Sequence, residues 1–157
     1  MESRFATILA AGAVTWTVVL LAAPLAVHRG GWASTAAVLV YQASSRICHQ
    51  KPDRSFYLAG VQLPVCARCI GLYVSAAVSS LAACAGQRRR VTIPRDSRRI
   101  LLLAALPTAL TVGMELAGLW HTTNVVRMLS ALPLGGAAGW IFVRTLRAEA
   151  RRPAHGR

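Results

Sequence analysis

Three cysteines and a histidine carry the chemistry most open to reading in this chain. Cys66 and Cys69 are spaced as CxxC within PVCARCIGLY, Pro64 to Tyr73. Cys48 and His49 stand together eighteen residues earlier, in ICHQ. The pair lies at the mouth of an apolar segment. If that segment is a helix, its positive end lowers a thiol pKa and favours the thiolate, which is both a nucleophile and a metal ligand. Three sulfurs and one imidazole match the Cys₃His set of tetrahedral zinc, so Cys48, His49, Cys66 and Cys69 are the candidate ligands for zinc or another transition metal. Adjacent side chains seldom reach one ion unless the backbone bends. Either Cys48 or His49 then ligates while the other supports it. Two other uses of the same residues stay open: a dithiol Cys66–Cys69 that exchanges electrons, and a disulfide that staples an outer loop. CARCI has no histidine after its second cysteine, so covalent haem attachment is not indicated. Cys84, toward the far end of its segment, reads as a small core residue.

Polar groups outside the cysteines gather toward the same face. Arg68 lies inside the CxxC hook. Glu115 sits five residues before Trp120, and Arg127 three residues after Asn124. An ionisable group inside an apolar span is costly unless paired, so Glu115 is expected to pair with Arg127 or Arg68. Arg54, in KPDRSFYLAG, is placed to hold an acidic or phosphate group, loop carbonyls or a lipid phosphate. Pro52, Gly60 and Pro64 mark turns around it. His28, His121 and His155 carry no comparable signal.

These residues need elements to hold them. The chain has 157 residues, enough for one domain, with 55% hydrophobic and only 15% charged residues. A bilayer core of about 30 Å takes about 20 helical residues. Four spans fit: 5–27, 70–86, 100–120 and 125–143. The first is too long for the apolar region of a signal peptide and reads as an uncleaved span. The expected fold is an all-α, polytopic membrane bundle of four transmembrane helices, one integral membrane domain. Trp32–Ile47 adds a short interfacial or re-entrant helix, or else a fifth span.

Charge orients the bundle. The net charge is +13, and its arginines cluster in a loop at 87–99 and a tail at 144–157. The positive-inside rule puts both segments, and hence both termini of a four-span chain, in the cytoplasm of a multi-pass cell-membrane protein. The loop 28–69 and all four candidate ligands then lie outside. No aromatic residues interleave with the arginines, so nucleic acid is not an expected partner, whereas anionic lipid headgroups are. A second copy or another membrane protein remains a candidate partner.

Small residues supply packing cues. Gly71, Ser75, Ser79 and Ala83 recur every four residues, as do Ala131, Gly135 and Gly139. Such faces let helix backbones approach closely in lipid, so both are expected to meet other helices. Pro107 and Pro133 are sites for kinks.

CHQKPDRSF followed by GVQLPVCARCIGLY resembles the signature of a family of small bacterial membrane proteins, a domain of unknown function. A weaker echo runs through Gly118–Ser130, where Asn124 and Arg127 match polar positions. The resemblance implies a multi-span membrane protein and supplies no activity. The family carries Asp near Thr111 and Gln near Glu115, so here the acid stands one helical turn further on.

Overall fold

The computed structural model describes residues 2–86 and 96–149. Five helices dominate it: α1 (Glu2–Val27), α2 (Gly31–Ser45), α3 (Ala67–Ala85), α4 (Ser97–Leu116) and α5 (Asn124–Glu149). Four of them, all but α2, are long and apolar enough to cross a membrane. The all-α membrane architecture is therefore as expected. A two-stranded hairpin, β1 (Tyr57–Leu58) with β2 (Val61–Gln62), was not foreseen. Its two-residue turn has Ala59 at φ 51° and Gly60 at φ 78°. Two positive φ values make the turn whose twist suits paired strands, and only glycine takes that geometry without strain.

Several boundaries move. α3 starts at Ala67, the residue to which the short span 70–86 was open to extension. α4 runs from 97 to 116 and stops short of Trp120, so Glu115 is in its last turn. α5 continues to Glu149, which makes Arg144 and Arg147 helical where a tail was expected to begin. Neither is excluded from a helix by hydropathy: arginine is a good helix former, and its charge only limits depth in the bilayer. The arginines of 87–95 and 150–157, on which much of the charge-based orientation rests, lie outside the described residues.

α2 has 15 residues, about 22 Å of helix, which falls short of a hydrocarbon core. It follows α1 through a tight turn at Gly30 and Gly31, both at positive φ. It packs back on α1, with Ala33, Ala37 and Val40 facing Val19, Ala23 and Ala26 across an apolar groove. The fifth-span alternative does not hold for so short a helix.

The main seam is between α3 and α5. A Cβ on Gly71 would overlap the backbone carbonyl of Met128, and one on Gly135 would overlap Leu72 and Ser75. At Gly139 the added atom would lie 2.5 Å from the Ala76 carbonyl oxygen. The two small-residue faces singled out in the sequence thus meet each other. Residue numbers rise together along both helices, so α3 and α5 run parallel. α1 and α4 run opposite to them: Ala6 packs by Ala83, and Thr17 Oγ1 donates to Tyr73 O at 3.3 Å.

α4 is the peripheral span, with Thr111 its one buried residue. Polar contacts hold it to α5. Thr108 Oγ1 donates to Ser130 O at 2.8 Å, and Thr111 Oγ1 to Ser130 Oγ at 3.3 Å. Hydrogen bonds of this kind serve as glue where lipid removes the hydrophobic drive between helices.

Candidate functional site

Cys66 caps α3 in extended geometry (φ −70°, ψ 165°), and Cys69 occupies the first turn. One helical turn therefore brings both thiols to the same end of the helix. Cys48 comes from the loop after α2. Its amide donates to Ser44 O at 2.9 Å, which ends the helix and turns the sulfur inward. The Cys66 amide in turn donates to Cys48 Sγ at 3.1 Å. The sulfurs of Cys48, Cys66 and Cys69 all lie within 4.8 Å of one another. All three are free thiols; Cys48 and Cys66 are buried, and Cys69 is half-buried.

The surroundings are apolar. Leu20, Val65 and Ile70 complete the buried cluster, and Trp16, Phe56 and Met128 pack against it. The Cys66 thiol, at the mouth of α3, is nevertheless held low, to about 5. The chief cause is a hydrogen bond from the Cys69 side chain. Burial opposes it, while the Cys69 backbone, the Cys48 side chain and the charge of His49 reinforce it.

His49 stands outside the thiol group. It is exposed, and its ring is not among the donors gathered within 4.8 Å. The backbone does bend beside it, with Gln50 at φ 46°. That bend serves Gln50 instead. Its side-chain amide donates to Tyr41 O and Pro64 O, each at 2.8 Å. Gln62 Nε2 donates to Gln50 O at 2.7 Å and to Ser55 Oγ at 3.2 Å. These amides hold the CHQ loop against the CxxC loop, a role the sequence reading missed. The available signal was two glutamines, Gln50 and Gln62, each within a few residues of a candidate ligand.

A second centre adjoins the first. Arg68, between the two hook cysteines in sequence, places Nη2 3.0 Å from Glu115 Oε2. The contact is an ion pair out of hydrogen-bond alignment, and Arg68 Nε has no hydrogen-bond partner. Arg127 Nε donates to Glu115 Oε1 at 2.9 Å. Thr122 Oγ1 also donates to that oxygen. The Glu115 side chain is 7% exposed and that of Arg127 9%. Arg127 Nη1 reaches Asn124 Oδ1 at 2.9 Å and Asp53 O at 3.3 Å. Asn124 Nδ2 donates to Ser55 O at 3.0 Å. Glu115 thus takes both arginines, where one was expected, and Asn124 and Arg127 anchor the loop between α2 and α3. Arg54 does not join them; its Nε lies 3.5 Å from the exposed Asp53 carboxylate.

Thr111, one turn before Glu115, faces Ser130 and not Arg127. An acid at that turn would meet a different part of α5, so the two positions are not interchangeable in this packing.

A family model described as "Predicted membrane protein (DUF2085)" matches residues 48–141. An uncharacterised protein of Methanothermobacter thermautotrophicus is 34% identical over 91 residues, which cover 57% of this chain and 78% of the relative. One of Methanocaldococcus jannaschii is 31% identical over 98 residues, 62% of each chain. Both relatives are archaeal, where the motif resemblance had suggested a bacterial family. No solved structure matches.

Proposed function

The chain belongs to this family of predicted membrane proteins (DUF2085), and from that premise we propose that it binds a transition metal, zinc first among them, through Cys48, Cys66 and Cys69. The observation that carries the reading is the convergence of three sulfurs within 4.8 Å from two separate segments. Zinc–thiolate bonds of about 2.3 Å set tetrahedral sulfurs about 3.8 Å apart, so the existing spacing needs little closure. Water or a rotated His49 completes the shell.

Charge supports the choice of ion. A divalent cation with three thiolates carries one net negative charge. Glu115 with Arg68 and Arg127 carries one net positive charge. Opposite charges side by side in a low-dielectric region offset each other, whereas a monovalent ion would leave a surplus. A disulfide staple would use two sulfurs and leave the third unexplained beside them.

One observation favours a second reading. The lowered Cys66 thiol, hydrogen-bonded by Cys69, is arranged as an attacking thiolate beside a resolving thiol. Cys66 would attack a partner disulfide and release one thiolate. Cys69 would then displace the other, passing two electrons to the partner and closing Cys66–Cys69.

Elemental analysis of protein purified without chelator separates the two. The metal reading expects about one equivalent of metal, lost in Cys48→Ser. The oxidoreductase reading expects metal-free protein with a reversible Cys66–Cys69 disulfide that survives Cys48→Ser.

A further inference from the structure

The opposite end of the α3–α5 pair also buries arginine. Arg147 is 6% exposed. Its Nη1 donates to Ala83 O at 2.8 Å and Cys84 O at 3.1 Å, capping the last turn of α3. Its Nε and Nη2 are enclosed and have no hydrogen-bond partner among the described residues. Arg144 lies one turn earlier, its guanidinium 4.6 Å from the centre of the Trp140 ring. Its Nε is likewise enclosed without a partner. Both side chains lean over the end of α3, since a Cβ on Gly86 would come within 4.0 Å of Arg144 Nη2. No ion pair among the described residues includes either arginine.

We infer that Arg144 and Arg147 form a site for the phosphate of an anionic membrane lipid. Nε and Nη2 make up the guanidinium edge that binds two oxygens of one phosphate side by side, and in Arg147 neither atom of that edge has a hydrogen-bond partner among the described residues. The α3 carbonyls already accept from Nη1, so their negative end is turned to the other edge of the group. Arg147 is buried with no ion pair among the described residues, and an anion is the natural balance for a buried guanidinium.

Depth favours a lipid over a free ion. Arg147 follows Arg127 by twenty residues, about 30 Å of helix, which is the thickness of the hydrocarbon core. With Arg127 at one headgroup level, Arg147 stands at the other. Trp140 then lies in the belt where indole rings favour the interface, and exposed Phe142 offers apolar surface to an acyl chain. Basic pockets between helices at this level suit anionic headgroups. The site is independent of the metal reading, because it shares no residue with the thiols.

Native mass spectrometry of the full chain, delipidated in detergent, tests this with added phosphatidylglycerol, phosphatidylcholine or inorganic phosphate. One phosphatidylglycerol should be retained roughly tenfold more tightly than phosphatidylcholine. Arg147→Gln should abolish that preference and Arg144→Gln reduce it. Arg99→Gln, at a side chain 79% exposed, should leave it unchanged. Helical circular dichroism checks folding; if Arg147→Gln fails to fold, Arg144→Gln decides. Equal retention of both lipids, equal binding of inorganic phosphate, or a preference that survives substitution would overturn the inference.

Discussion

The middle of the α3–α5 seam and the thiol end of the same two helices are held by opposite means. In the seam, Gly71, Gly135 and Gly139 admit the neighbouring backbone because no side chain stands in the way. At the thiol end, Arg68, Glu115, Arg127 and Asn124 fill the space with charge and hydrogen bonds. The seam therefore fails when an atom is added, and the thiol end when a partner is removed. A bundle that fixes its helix spacing by contact along the seam can keep a costly polar centre at one end in register.

The largest effect should come from breaking the charge cluster. Glu115→Leu leaves two buried guanidinium groups without their anion and should cost about 3–5 kcal/mol, read as a fall in thermal unfolding temperature in detergent. A loss below 1 kcal/mol would mean that the cluster is solvated and the contrast with the seam is false. Next, Cys48→Ser should lower metal affinity by roughly a hundredfold or more, beyond the loss usual for a supporting residue. It should leave the stability of metal-free protein nearly unchanged, because the sulfur's neighbours remain.

Gly135→Ala tests the other side. The new methyl meets Leu72 and Ser75, and overpacking should destabilise by about 1–3 kcal/mol while metal stoichiometry stays constant. Loss of metal in that variant would show that the two regions are one cooperative unit. Gln62→Ala, which removes donors to Gln50 O and Ser55 Oγ, should cost about 1 kcal/mol and loosen the loop between α2 and α3, seen as faster amide exchange near Cys48.

The smallest effect is spectroscopic. Cys66 is more acidic folded than unfolded, so its stabilising share is complete above the ordinary thiol range and disappears as pH falls through about 5. Thiolate absorbance of metal-free protein should persist down to that pH and be missing at neutral pH from Cys66→Ser. A midpoint above pH 8 would remove the case for a polarised hook.

Much of this was legible along the chain. Apolar length marked the four spans, and the four-residue repeats marked the faces that meet in the seam. CxxC before an apolar run marked a helix mouth carrying two thiols. These features depend on near neighbours, and one helical turn relates them. The turn at Gly60 was legible but its hairpin was not, because strands of two residues are too short to show an alternating pattern. Nor was the continuation of α5 through Arg144 and Arg147, since hydropathy ends a span where burial need not.

The amino-acid order alone determined an integral membrane bundle with cysteines at helix ends, because span length, charge and periodicity act locally. Only the tertiary structure decided that Cys48 joins Cys66 and Cys69 while His49 stays outside, and that Glu115 takes two arginines. It also decided that Arg147 is buried with no ion pair among the described residues. Those outcomes depend on where loops and helices distant in sequence pack together, and in lipid that is set by close contact between backbones more than by any hydrophobic pattern.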